Sequence, residues 1–152
     1  MPQLSASRRV RHAASEMFDL VADIERYQEF VPLCQSLRVR KRTELAGKDV
    51  IVADMTVAYK MIHETFTSRV TLDRANLEIL VEYLEGPFRH LNNRWQFRPV
   101  AERVCDVEFF IAYEFRSRAL GMLMGSVFEA AFRRFAAAFE RRADQVYGTQ
   151  AA

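Results

Sequence analysis

The hydrophobic period of the chain changes twice. Residues 4–12 alternate weakly and predict a strand. Across 14–31 the spacing turns helical. Phe18, Val21 and Ala22 fall at i, i+3 and i+4 and predict one or two short helices. Pro32 closes that segment, because the residue before a proline avoids the helical region. From 33 to 116 the period is two. Leu37, Val39 and Leu45 share one parity, and Arg38, Arg40 and Arg42 the other. Met55, Val57 and Tyr59 alternate with Asp54, Thr56 and Lys60; Ile62, Phe66, Val70 and Leu72 alternate with His63, Thr65, Thr67, Arg69 and Thr71. Gly47 and Asn76 mark turns, and 77–85 reads as a further strand. Leu91, Asn93, Trp95 and Phe97 oppose His90, Asn92, Arg94, Gln96 and Arg98; Cys105, Val107, Phe109, Ile111, Tyr113 and Phe115 oppose Asp106, Glu108 and Glu114. Short turns between such strands predict an antiparallel meander with one wet face.

After 116 the period becomes 3.6. Leu120, Leu123, Met124, Val127, Phe128, Ala131, Phe135, Ala138, Phe139 and Val146 form one stripe, which predicts a single helix over 118–147. It would be about 45 Å long. Seven strands span about 29 Å, so the helix can lie across the whole sheet. The expected fold is α+β, a helix grip. A curved seven-stranded antiparallel sheet wraps one long C-terminal helix, with short helices after the first strand, in a single domain over 1–152.

Composition narrows the picture. The chain has 152 residues, 50% hydrophobic and 28% charged, with 5 Gly and 4 Pro. This excludes a disordered or collagen-like chain. Mean hydropathy is −0.15, and no apolar run approaches the roughly 20 residues of a spanning helix. The 12 Phe, 5 Tyr and 1 Trp either fill a dense core or line a pocket. The net charge is +2, from 22 basic and 20 acidic residues. It gives no reason to expect DNA as a partner. All the basic residues except Lys41, Lys48 and Lys60 are Arg, a skew typical of GC-rich bacterial genes. Cys34 and Cys105 lie far apart without metal spacing and read as buried, reduced thiols.

Catalytic motifs are missing. There is no GxGxxG, phosphate loop or GxSxG. His12, His63 and His90 do not cluster at ligand spacing, and the last two fall on the wet parity. Asp106 and Glu108 sit together on the outward face and read as solvated. No catalytic residue, metal site or cofactor is expected. An enzyme of the cyclase or hydrolase type would need an inward acid–base pair that the pattern lacks.

Four segments resemble the coenzyme Q-binding START-like family, a branch of the polyketide-cyclase-like helix-grip superfamily. They are MFDLVADIERYQEFVPLC (17–34), GPFRHLNNRWQF (86–97), CDVEFFIAYEF (105–115) and AFERRADQVYG (138–148). The resemblance runs from about Ser5 to Gly148. It implies a hydrophobic cavity between sheet and helix holding ubiquinone or another isoprenoid lipid. The implied role is chaperoning in quinone biosynthesis and respiratory electron transport, without catalysis. The same family includes ribosome-association toxins, so the alternative is an inhibitor that binds the large ribosomal subunit. The lack of a long leader suggests a bacterial, cytoplasmic member with peripheral contact at the inner membrane.

The expected ligand-binding set is Phe18, Pro32, Met55, Val57, Tyr59, Phe66, Tyr83, Phe88, Trp95, Phe97, Phe109, Tyr113, Leu123, Met124, Val127, Phe128 and Phe135. For each ring the ordinary reading is core packing. Tyr59, Tyr83, Tyr113 and Asn93 carry neutral polar groups on the inward parity, suited to a neutral head group. Glu64 shares that parity. It is either a polar anchor or a strand-end residue that reaches water. Gly86-Pro87-Phe88 reads as a plain hairpin connection or as a latch. Leu120 and Met122, beside Gly121, Gly125, Arg116 and Arg118, suit a mobile apolar lip against an anionic membrane. Arg38, Arg40, Lys41 and Arg42, with Arg133, Arg134, Arg141 and Arg142, suit sheet-edge protection, anionic lipid or RNA. RNA is the weaker reading, because no stacking aromatics are interleaved with them.

Overall fold

The computed structural model describes residues 3–148. The expected domain ends at 1–2 and 149–152 lie outside the described residues. Strand β1 (Gln3–Val10) leads into helix α1 (Ala14–Ala22) and a single short 3-10 helix, Ile24–Glu29. Six strands follow: β2 (Cys34–Leu45), β3 (Lys48–Tyr59), β4 (Ile62–Asp73), β5 (Glu78–Glu85), β6 (Phe88–Ala101) and β7 (Val104–Phe115). Helix α2 spans Arg118–Tyr147, the bounds its 3.6-residue stripe predicts. The sheet order is β1-β7-β6-β5-β4-β3-β2, every pair antiparallel. The meander and helix grip are therefore as the alternation implies.

Local chemistry sets the turns. Ala46 and Gly47 both take positive φ, 52° and 79°, which closes a two-residue hairpin that follows the twist of β2 and β3. Between β5 and β6, Gly86 has φ 144° and packs directly on β4.

Bulges correct two expectations. Val39 pairs with Ala53, but Lys41 pairs with Val52, so Arg40 is an extra residue and the parity of β2 flips there. Leu45, expected to face inward with Leu37 and Val39, is 70% exposed. Arg42 instead turns towards Glu25 and pairs with it. The first strand ends at Val10 rather than at 12. The stripe of α2 also shifts. Leu123 and Val146 are exposed at 64% and 54%, while Phe132 and Ala143 are buried.

The C-terminal half of α2 is bound from several sides. His12 is buried, and its Nε2 lies 2.7 Å from Asp144 Oδ1. The Tyr147 hydroxyl donates to the Glu16 carbonyl at 3.2 Å, and Arg8 Nε donates to Glu140 at 2.6 Å. Arg142 pairs with Glu29 and covers the ring of Phe30. At the other end, Ser117 caps the helix by accepting from the Leu120 amide at 3.1 Å.

Several surface carboxylates are held below their usual range. For Glu29 the cause is hydrogen bonds from Arg26 and Arg142; for Asp73, from Asn76; for Asp106, from Arg9. Asp54 is also low: partial burial opposes its charge, but bonds from Thr67 and Arg40 outweigh it. The folded state thus favours the charged forms. This stability is present above the ordinary carboxylate values of 3.8 to 4.5 and is lost as pH falls through the lower folded values. The urea midpoint is expected to drop progressively once pH goes below about 4.5. A midpoint unchanged down to pH 3 would contradict this.

Candidate functional site

The interior divides along the strands. At the α1 end it is solid: Phe18 meets Phe97 edge-on at 5.9 Å, and Met17, Val10, Cys105 and Val107 are fully buried in the same core. Towards the other end the space between sheet and α2 is not filled. Small residues cause this. Ala53 on β3 pairs directly with Ser68 on β4, which leaves a hollow in the sheet floor, and Ala131 stands in the facing helix wall. The resulting cavity is about 100 Å³. One water needs about 10–15 Å³, and ordinary ligand clefts run to about 300–1,000 Å³. The space suits a small group, and a larger ligand requires the walls to part.

Eight members of the expected ligand set line this cavity: Pro32, Met55, Val57, Phe66, Phe88, Trp95, Phe128 and Phe135. The others lie elsewhere. Phe18 and Phe97 belong to the solid end. Phe109 sits behind Trp95 at 4.7 Å, and Tyr113 sits behind Phe88 and Phe132. The Tyr83 hydroxyl accepts from the Phe88 amide at 3.1 Å. Tyr59 lies at the end of β3 with Lys60 over its ring. Met124 is buried outside the lining, Val127 is half-buried, and Leu123 faces outward. Glu64 is half-buried near the start of β4, away from the lining.

Other walls carried no clear signal in the sequence. Ile24, Tyr27 and Val31 from the short helix, Leu33, and Phe132 and Phe139 of α2 all line the space. Tyr27 and Phe30 meet Phe139 edge-on at 5.4 and 5.0 Å, so the short helix closes one side against α2. The start of α2 and the 86–88 turn do meet: the Arg116 amide donates to the Pro87 carbonyl at 2.9 Å. Phe88 is fully buried there and stacks on Phe115 at 4.8 Å.

The lining holds no acidic, cationic or imidazole side chain. Tyr27 is pushed up by burial, and its hydroxyl donates to the Val21 carbonyl. Asn93 is tied at both ends: its Nδ2 donates to the Phe110 carbonyl at 2.8 Å, and its Oδ1 accepts from Trp95 Nε1 at 3.1 Å. Cys34 and Cys105 are free and buried, and burial raises both thiols to about 11. Both therefore stay protonated and unreactive near neutral pH. No group of His, Cys, Asp and Glu suited to a metal occurs among the described residues. No described helix is long and apolar enough to cross a membrane.

Half of the arginines and lysines singled out on the surface are neutralised by carboxylates. Arg40 pairs with Asp54, Arg42 with Glu25, Arg133 with Glu129 and Arg142 with Glu29. Arg38, Lys41, Arg134 and Arg141 remain exposed.

A family model for polyketide cyclase / dehydrase and lipid transport proteins matches residues 10–140. The Ribosome association toxin RatA of Escherichia coli is 33% identical over 99% of this chain and 92% of its own. The mitochondrial Coenzyme Q-binding protein COQ10 homolog B of Xenopus laevis is 27% identical over 97% of this chain and 60% of its own. Among solved structures, an 18 kDa protein of Caulobacter crescentus superposes with a TM-score of 0.79. It is 30% identical over 98% of this chain and all of that one. A START superfamily protein of Mycobacterium smegmatis shares the fold, with a TM-score of 0.80 at 18% identity over 95% and 98% of the two chains. The meander, the long helix and these matches agree: the chain belongs to the polyketide cyclase / dehydrase and lipid transport family and has its START-like helix-grip fold.

Proposed function

We propose that this protein binds an uncharged isoprenoid lipid, with ubiquinone the best fit, and carries it without turning it over. The observation that supports this most is the lining of the cavity, which is apolar and bears no charged group. Such a wall disfavours a carboxylate or phosphate, whose burial without a partner is costly. It favours hydrocarbon. Each isoprene unit taken from water contributes up to about 4 kcal/mol, at about 0.8 per carbon group. The similarity to a coenzyme Q-binding protein points the same way. In this reading a lip at the β7–α2 corner meets the membrane. Met122 and Leu123 are exposed there at 86% and 64%, with Leu120, Arg116 and Arg118 beside them. Arg116 also braces the corner, because its Nε donates to the Phe88 carbonyl at 2.9 Å. Arg118 is therefore the freer cation for anionic head groups.

A second reading, association with the large ribosomal subunit, is favoured by the 33% identity to a ribosome association toxin over nearly the whole chain. The four paired surface cations weigh against a broad RNA-binding face.

Native mass spectrometry with lipid extraction tests the proposal. A neutral isoprenoid bound to the purified protein is expected. Ala131→Leu, which fills the cavity from α2, should lose it at least about tenfold while keeping the parent's thermal midpoint, since added apolar volume enters free space. Leu123→Asp should slow uptake from anionic vesicles. No bound lipid, together with sedimentation on large ribosomal subunits, would replace the first reading with the second.

A further inference from the structure

Among the polar side chains of the cavity wall, Ser68 differs from the rest. Tyr27 donates to the Val21 carbonyl, Trp95 donates to Asn93, and Asn93 donates to the Phe110 carbonyl. Ser68 is only 5% exposed and lines the cavity, and its hydroxyl takes no part in the side-chain hydrogen bonds that tie the other three. A hydroxyl on an apolar cavity wall gains most from a hydrogen-bonding group that enters the cavity.

The backbone explains why this hydroxyl meets open space. Ser68 follows Phe66 on the inward parity of β4, while Thr67 between them turns outward and donates to Asp54 Oδ1 at 2.6 Å. A bulge against β5 falls between Thr67 and Ser68, whose partners are Glu85 and Tyr83. Across β3 the paired residue is Ala53, too short to cover the hydroxyl or to bond it. The hydroxyl therefore stands on the floor of a mostly apolar hollow.

We propose that Ser68 is the polar anchor of the cavity, donating a hydrogen bond to a carbonyl or ether oxygen of an uncharged ligand whose remaining surface is hydrocarbon. This rests on the lipid-binding reading above and narrows it. The anchor selects an oxygenated ring or ester over a plain hydrocarbon. The absence of any lining cation selects against a free fatty acid. The tyrosines expected to serve as anchors do not line the space, and Asn93, which does, is already bonded at both ends.

The chain has one tryptophan, Trp95, and it lies in the cavity wall. Its fluorescence reports occupancy directly. Two probes would be titrated: a dimethoxy-methyl-benzoquinone bearing a decyl tail, and decylbenzene, which has the tail and a ring but no oxygen. Ser68→Ala is expected to weaken the benzoquinone about five- to tenfold, the size of one hydrogen bond, and to leave decylbenzene unchanged. Ser68→Thr, which keeps the hydroxyl, should restore most of the affinity. The carbonyl stretch of the bound benzoquinone should lie lower in the parent than in Ser68→Ala. Equal benzoquinone affinity and equal carbonyl frequency in parent and Ser68→Ala would overturn the anchor while leaving the lipid-binding reading intact. If neither probe binds the parent, the lipid-binding reading fails and the anchor fails with it.

Discussion

Phe88→Ala should melt about 10–15 °C below the parent. Phe88 is fully buried, and it is where the elements around the cavity converge. Its ring meets Phe66 of β4 at 5.5 Å, Tyr83 of β5 at 5.6 Å, Phe115 of β7 at 4.8 Å and Phe128 of α2 at 6.0 Å. Truncating such a ring costs about 3–5 kcal/mol, through lost transfer energy and the void left behind. A domain of this kind has about 5–15 kcal/mol in total. The surrounding rings come from four separate elements, so they cannot collapse together to refill the space. Circular dichroism melts would measure the loss, and a drop below about 1 kcal/mol would mean the ring is not the junction described here.

Gly86→Ala should be nearly as damaging, for a different reason. The residue has φ 144°, a region that side-chain-bearing residues rarely enter. A Cβ placed there would stand 2.6 Å from Phe66 Cβ and 2.9 Å from Phe66 Cα. The second of these atoms is backbone in a paired strand and cannot swing aside. Strain and overpacking together amount to about 2–5 kcal/mol. Gly125→Ala provides the contrast. Nothing lies within 4 Å of a Cβ there, and alanine favours the helix by about 0.5–1 kcal/mol. Urea unfolding of the two variants should therefore shift in opposite directions. A Gly86→Ala midpoint equal to the parent's would show that the 86–88 turn yields more easily than its packing implies.

The fold was legible because both periods are local. Alternation from Leu37 to Phe115 and the stripe from Leu120 to Phe139 need only neighbouring residues to be read. A single inserted residue defeats that reading, as Arg40 does for Leu45. The cavity is a different kind of object. Parity says that Phe97, Phe109 and Tyr113 face inward, and they do. Whether an inward ring borders a void depends on its depth along the strand and on the size of its neighbours across the sheet. Ala53 beside Ser68 sets that hollow, and neither residue stands out in hydrophobicity. Phe132 does not stand out in the pattern, because Ala131 and Phe135 beside it already complete the stripe.

Helix α2 is tied by more side-chain bonds at one end than at the other. Its fixed end carries the His12–Asp144 contact, the Tyr147–Glu16 bond and the Arg8 and Arg142 ion pairs. Its other end carries Gly121, Gly125 and the exposed Met122 and Leu123. A beam held more tightly at one end converts a small rotation at its root into a larger displacement at its tip. Over about 45 Å, a tilt of about 5° moves the first turn by about 4 Å, close to the width of an isoprene chain. The wall formed by Phe128 and Ala131 lies part-way along that beam and would part by less. Access would thus widen towards the β7–α2 corner, while the packed end beneath α1 keeps its shape.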